Sequence, residues 1–238
     1  VVGSTSSADF PTAGGFDPSS DGTSEGFVAE LAADALTWSS YLGGAAPAAD
    51  TAFALATDAD GDLYVGGTTN ASDFPGAVGG YDASRSAGGD AFVAKLLAAG
   101  GALGWATYLG GGAADSVVGI AVDASGVYVT GSTQSSDFPT MDGFDTSFGG
   151  GVAGFVSKIE PAGTDLAWSS YLPDASRGAA IAVDGAGRAH VTGITSSPAF
   201  PTTGGFDTSF GGGFDAFVLV VAADGAGLAW SSYLGGSG

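Results

Sequence analysis

The sequence predicts an all-β protein, a β-propeller of four-stranded antiparallel blades, and three observations carry that prediction. Close copies of one stretch end four successive segments, at Leu36 to Gly44, Leu103 to Gly111, Leu166 to Asp174 and Leu228 to Gly236. The four tryptophans, Trp38, Trp105, Trp168 and Trp230, share one slot in these copies at spacings of 67, 63 and 62 residues, with a tyrosine three positions after each. A large aromatic recurring in this way marks a supersecondary unit that stacks on its neighbours to share a core. The second observation is the 44 glycines, which lack the every-third-residue period of collagen and so mark frequent turns between short strands. The third is period-2 apolar patterning with no helical period anywhere.

Each unit reads in the order A, B, C, D. In the third segment Gly119 to Val122 (strand A) turns through Asp123-Ala124-Ser125-Gly126 into Val127 to Ser132 (strand B), the signature of a hairpin. The second segment repeats this as Ala54 to Thr57, a turn at Asp58 to Asp62, and Leu63 to Thr68; the fourth as Ala180 to Val183, Asp184 to Gly187, and His190 to Gly193. A long connection follows strand B. It is built on Asp9-Phe10-Pro11-Thr12, Asp73-Phe74-Pro75-Gly76, Asp137-Phe138-Pro139-Thr140 and Ala199-Phe200-Pro201-Thr202, then on Phe16-Asp17, Tyr81-Asp82, Phe144-Asp145 and Phe206-Asp207. Connections of this length persist in compact domains when they pack on themselves, and the paired aromatics supply the means.

Strand C is predicted at Gly26 to Leu31, Ala91 to Leu96, Gly154 to Ile159 and Ala216 to Val221. Its fifth position holds Glu30, Lys95, Lys158 and Val220, a mixture that predicts a solvent-facing slot. Strand D is the tryptophan stretch. Strict alternation puts Leu36, Trp38 and Ser40 on one face and Thr37, Ser39 and Tyr41 on the other, so aromatics on both faces predict a blade covered on both sides. The units fall at about 1–44, 45–111, 112–174 and 175–238 within one repeat domain, 1–238. Val1 to Thr5 align with Val129 to Thr133, so the first unit starts inside strand B and lacks strand A, giving fifteen strands.

In combination, Ile120-Ala121-Val122-Asp123, Tyr128-Val129-Thr130-Gly131, the Asp137-Phe138-Pro139-Thr140 loop, Phe155-Val156-Ser157-Lys158 and Trp168-Ser169-Ser170-Tyr171-Leu172 resemble the SBBP repeat, a bacterial and archaeal β-propeller repeat. The resemblance covers essentially the whole chain. It implies a propeller fold and a secreted or cell-surface setting, and it transfers no catalytic residues.

Charge narrows the function classes. The net charge is −20, from 25 acidic residues against Arg85, Lys95, Lys158, Arg177 and Arg188. Nucleic-acid binding needs clustered cations, so it is excluded, as is docking on an anionic membrane. No apolar run of about 18 residues predicts membrane insertion. There is no cysteine, hence neither a disulfide framework nor a thiolate metal site. The start Val1-Val2-Gly3 carries no initiator methionine or charged leader, which reads as a mature or excised chain.

Candidate chemistry is sparse. His190 is the single histidine, and Tyr64 and Tyr128 hold its slot elsewhere, so it reads as a packing substitute. No nucleophile elbow is present, and the recurring Asp17, Asp82, Asp145 and Asp207 belong to the repeat; no enzyme and no catalytic residue is predicted. Asp58, Asp60 and Asp62 form a short glycine-containing acidic loop with calcium character, although its counterparts read as plain hairpin turns and it lacks a distal glutamate. The Phe-Asp loops are a second place for a cation. Calcium is the one cofactor considered. Asn70-Ala71-Ser72 is a formal glycosylation sequon at the single asparagine. The structural repeat residues are the four tryptophans with Phe10, Phe74, Phe138 and Phe200. Together these features predict an extracellular structural or surface protein, a rigid scaffold that self-associates through its incomplete first blade or meets neighbouring blades of a longer chain. The alternative is a binding module whose propeller loops recognise a glycan, a cation or a partner protein.

Overall fold

The computed structural model describes residues 1–20, 24–45, 49–75, 79–98, 102–173 and 175–237. Gly76 of the second Phe-Pro loop, Asp174 at the end of the third tryptophan stretch, and Gly238 lie outside them.

Fifteen strands and no helix are found among the described residues. Blade 1 contains β1 (Val2–Thr5), β2 (Glu25–Ala32) and β3 (Ala35–Leu42). Blade 2 contains β4 (Asp50–Thr57), β5 (Leu63–Thr69), β6 (Asp90–Leu96) and β7 (Leu103–Leu109). Blade 3 contains β8 (Asp115–Asp123), β9 (Gly126–Thr133), β10 (Ala153–Ile159) and β11 (Leu166–Tyr171). Blade 4 contains β12 (Ser176–Val183), β13 (Ala189–Thr195), β14 (Asp215–Val221) and β15 (Leu228–Leu234). Each is an antiparallel meander in chain order, three-stranded in blade 1 and four-stranded in the others. The arrangement is the propeller-like one that the repeats predict, and the first sheet holds only strands B, C and D.

Successive sheets pack face to face. β4 lies on β1 and β2, β8 on β4, β5 and β6, and β12 on β8, β9 and β10, so the first strand of each new blade sits against the blade before it. Three apolar clusters fill the junctions. Between blades 1 and 2, Val28, Trp38 and Leu42 meet Val65, Phe74, Phe92 and Tyr108. Between blades 2 and 3, Tyr64, Val93 and Trp105 meet Val129, Phe138, Phe155 and Tyr171. Between blades 3 and 4, Tyr128, Val156 and Trp168 meet Val191, Phe200, Phe217 and Tyr233. Every blade thus has a tryptophan face and a phenylalanine-tyrosine face, and each junction joins one of each kind. Burying several large aromatics per junction is the main attraction between sheets, at about 25 cal/mol per Å² of apolar surface.

The register departs from strict alternation in one consistent way. All four C–D pairs carry a bulge: Lys95 pairs with Trp105 but Leu96 with Leu103, and the same shift occurs at Glu30/Leu31, Lys158/Ile159 and Val220/Val221. The extra residue turns the leading leucine over. Leu103 packs with Phe92 and Tyr108, while Trp105 packs in the next junction. The expectation that Leu36 and Trp38 share a face is therefore corrected, because a bulge sets two residues of one strand against one of its partner. The A strands bulge as well, at Ala52/Ala54, Val117/Gly119 and Gly178/Ala180.

Candidate functional site

The residues repeated most faithfully form a latch that ties each long connection to strand D. Phe10, Phe74, Phe138 and Phe200 lie against Phe27, Phe92, Phe155 and Phe217, with ring centroids 4.7, 4.3, 4.4 and 5.0 Å apart. Tyr41, Tyr108, Tyr171 and Tyr233 each send the phenol back to the same loop, donating to the carbonyls of Ser7, Ala71, Ser135 and Ser197 at 2.7–2.8 Å. The phenol oxygens of Tyr41, Tyr108 and Tyr233 also accept the amides of Phe10, Phe74 and Phe200. The serine pair between Trp and Tyr completes the latch. Ser39, Ser169 and Ser231 donate to the carbonyls of Pro11, Pro139 and Pro201. Ser40, Thr107, Ser170 and Ser232 accept the amides of Asp17, Asp82, Asp145 and Asp207. The hydroxyls in the Trp-Ser-Ser-Tyr stretch thus satisfy loop backbone that would otherwise be buried without partners. The carboxylates of the Phe-Asp loops close local turns, Oδ1 accepting from the amides of Ser19, Ser84, Ser147 and Ser209.

Asp58 and Asp62 come together, but around a lysine. Asp58 Oδ1 accepts the amides of Asp60 and Asp62, and its Oδ2 accepts the Tyr64 hydroxyl at 3.0 Å. Lys95 Nζ lies 2.8 Å from Asp62 Oδ2 and 3.8 Å from Asp58 Oδ2, so an ammonium sits where the loop's carboxylates converge. The Lys95 hydrogen bond and the Ala98 amide hold the Asp62 carboxyl below its usual value. Burial pulls the Lys95 ammonium down, yet Asp62 and Tyr64 outweigh that and keep it above its ordinary value. Asp60 is exposed. Among the described residues no group of three or more acidic or histidine side chains is arranged to hold a metal ion.

The lysine slot itself differs from the sequence expectation. Lys95 and Lys158 lay their ammonium groups over the rings of Tyr64 and Tyr128, 5.1 and 5.0 Å from the centroids, at the rim of a blade junction. Their stems cover aromatic surface while the heads reach out. Val220 in that slot is buried, and Glu30 is exposed.

His190 keeps the polar contact of the tyrosine slot but not its packing: its side chain is 39% exposed, and its Nε2 lies 3.0 Å from Asp184 Oδ2, the place taken by the Tyr64 hydroxyl on Asp58. Hydrogen bonds from His190 and Arg188 hold Asp184 well below the usual carboxylate range. Asn70 is exposed at the exit of β5, and its Nδ2 donates to the Ala49 carbonyl at 3.3 Å.

Sequence reasoning missed a row of buried acids at one end of the strands. Asp50 and Asp115 begin β4 and β8, while Glu25, Asp90 and Asp215 begin β2, β6 and β14; all five are buried. The blade stacking places Glu25 beside Asp50 and Asp90 beside Asp115, with Gly43 and Gly110 wedged against the respective pairs. Burial and then Asp90 push the Asp115 carboxyl up, opposed by Thr133, the Gly111 amide and Ser135, to about 6. Burial raises Asp90 too. The signal was present as acidic residues at matching strand starts, but nothing in the sequence said that they meet across junctions.

Four stacked antiparallel blades, each closed by the same aromatic latch, define a repeat protein of the propeller class. Residues 37–75 and 104–139 match the family model of SBBP, described as a beta-propeller repeat. Each runs from strand D of one blade through strands A and B of the next to the Phe-Pro loop, so the family repeat spans a blade junction. No curated protein matches the chain.

Proposed function

We propose that the chain is a non-catalytic extracellular scaffold whose blades associate end to end with further copies of themselves. The carrying observation is the state of the two outer faces. The tryptophan faces of blades 1 to 3 are covered by the next blade, whereas on blade 4 Trp230 is only half-buried and Ile194 and Leu234 are 45% and 54% exposed. The opposite face of blade 1 presents Leu31 at 63% exposure beside half-buried Phe10 and Phe27, the equivalents of Phe74 and Phe92 in the interior. A tryptophan face and a phenylalanine-tyrosine face are the two halves of every interior junction, so two copies can repeat that junction head to tail. Contacts of this heterologous kind extend into filaments unless a rotation closes them. Within these residues the sheet of blade 1 ends on β1, which adds a sheet edge to the same end.

An extracellular setting is supported by a chain with no cysteine and only one methionine, one asparagine and one glutamine, which offers few sites for oxidation or deamidation. Light scattering across concentration and salt tests the reading. The mean mass rises with concentration, and rises further with salt that screens the −20 charge. Leu234→Lys and Ile194→Lys hold the protein monomeric. A wild-type chain that stays monomeric under all conditions overturns the proposal, and a specific hit on a glycan array by such a monomer favours a loop-based binding module instead.

A further inference from the structure

The Asp90–Asp115 pair lies at the junction of blades 2 and 3, where the start of β8 meets the start of β6. The Asp115 amide donates to the Gly89 carbonyl at 3.0 Å, and Thr68 Oγ1 bridges to the Asp115 carbonyl at 3.1 Å. Both carboxylates converge over Gly110. A Cβ built there would lie 2.5 Å from Asp115 Oδ2, 3.0 Å from Asp90 Cγ and 3.2 Å from Asp115 Cγ. One oxygen of each is spent: Asp115 Oδ2 accepts the Gly111 amide at 2.8 Å and the Ser135 hydroxyl at 2.9 Å, and Asp90 Oδ2 accepts the Ser86 amide at 2.9 Å. The other oxygen of each, Oδ1, is buried with no hydrogen-bond partner, in residues that are 0% and 3% exposed. The Thr133 side chain also favours the Asp115 anion. Arg85 exerts a favourable field on Asp90 but forms no ion pair with it, while Asp82 and Asp137 add negative charge. Two buried carboxylates side by side, each with an oxygen that accepts no hydrogen bond, call for a proton or a cation between them.

We propose that the Asp90 and Asp115 carboxylates bind a divalent cation of the calcium type at this junction, clasping blade 2 to blade 3. Hard carboxylate oxygens in an all-oxygen setting suit calcium, which coordinates them at roughly 2.3–2.6 Å and accepts irregular geometry. The site is distinct from the Asp58–Asp62 turn, whose carboxylates face Lys95, and does not depend on end-to-end assembly.

The repeats supply an internal contrast. At the junction of blades 3 and 4 the same two positions hold Ala153 and Ser176, and there the glycine slot is filled by Pro173. Where the acids are present the slot is glycine, as at Gly43, Gly110 and Gly235, each of which would press a Cβ to within 2.7 Å of a carboxylate oxygen. Glycine at this slot therefore accompanies the carboxylates and gives way to proline where they are lost.

The test uses the full chain after chelation, titrated with calcium chloride and separately with magnesium chloride by calorimetry near pH 7.5, with thermal melting in parallel. Calcium is expected to bind and to raise the melting temperature. Asp90→Asn and Asp115→Asn are each expected to weaken binding at this junction at least tenfold. The triple variant Asp90→Ala, Gly110→Pro, Asp115→Ser copies the third junction's own solution, so it is expected to fold and to bind one calcium fewer than wild type; near-ultraviolet circular dichroism checks its packing. The proposal is overturned if wild type binds no calcium at millimolar concentration. It is also overturned if the triple variant binds as many ions as wild type, or if the pair responds to acidification alone, which would mark a shared proton.

Discussion

Gly163 in the C–D turn of blade 3 rests on the indole of Trp105 in blade 2: a Cβ on that glycine would lie 2.4 Å from Trp105 Cδ2. Gly225 stands in the same relation to Trp168, again at 2.4 Å, and both glycines have positive φ, 77° and 76°. The close approach lets the turn of one blade lid the tryptophan of the previous one, and the Trp168 Nε1 completes the contact by donating to the Ala223 carbonyl at 3.1 Å. A residue that looks like a mere turn marker in the sequence is a packing surface.

Replacing either glycine tests that contact. Gly163→Ala and Gly225→Ala must accommodate both a clash and a left-handed backbone, and each is expected to cost about 2–4 kcal/mol in urea unfolding. Gly185, with open space around it and no positive φ, is the control, and Gly185→Ala is expected to change stability by less than about 0.5 kcal/mol.

The four tryptophans share a slot but not an environment. Trp168 is 2% exposed between two blades, and Trp168→Ala is expected to cost about 3–5 kcal/mol. Trp230 is half-buried against Phe206, whose ring centroid is 6.1 Å away, so Trp230→Ala is expected to cost no more than about 1–2 kcal/mol in dilute, monomeric protein. Equal losses at the two positions would contradict the difference in packing.

The tyrosine latch is tested by removing one oxygen. Tyr108 donates to the Ala71 carbonyl at 2.8 Å and accepts the Phe74 amide at 2.9 Å, both in buried surroundings. Tyr108→Phe leaves both groups without that partner and is expected to cost about 1–3 kcal/mol. Amide hydrogen exchange at Phe74 is expected to accelerate in the variant, and unchanged exchange would mean that the loop is held by its aromatic contacts alone.

In chelator, stability is expected to peak on the acid side of neutrality. The folded Asp115 pKa of about 6 lies above its ordinary 3.8, so the native state holds the proton more tightly between those values. Stability therefore rises as pH falls through 6 toward 4, by roughly 2–3 kcal/mol at most from this group, with Asp90 shifted in the same direction. Asp62 and Asp184 are lowered, so their contribution is present above about pH 4 and is lost below it. Melting curves from pH 3 to 8 are expected to show a maximum between about 4 and 6, with the descent toward neutral pH flattened in Asp115→Asn.

The sequence by itself determined the strand order within each unit and the recurrence of that unit along these 238 residues. These follow from short-range facts: an aromatic slot recurring at nearly constant spacing, period-2 alternation, and Asp-Gly turns, each of which acts within a few residues. It also placed His190 in the slot of Tyr64 and Tyr128, whose contact with the turn aspartate its ring keeps although their packing is lost. Only the tertiary structure decided which faces meet. A one-residue bulge, which leaves no mark in composition, turns Leu103 away from Trp105, and the slot of Lys95 and Lys158 becomes a junction rim once a neighbouring blade is stacked beside it. The same holds for Asp90 and Asp115. They stand 25 positions apart in different blades, and their nearness arises from sheets packing in register, so the exchange of Gly110 for Pro173 could be seen in the sequence but acquired a physical cause only when the carboxylates beside it were located.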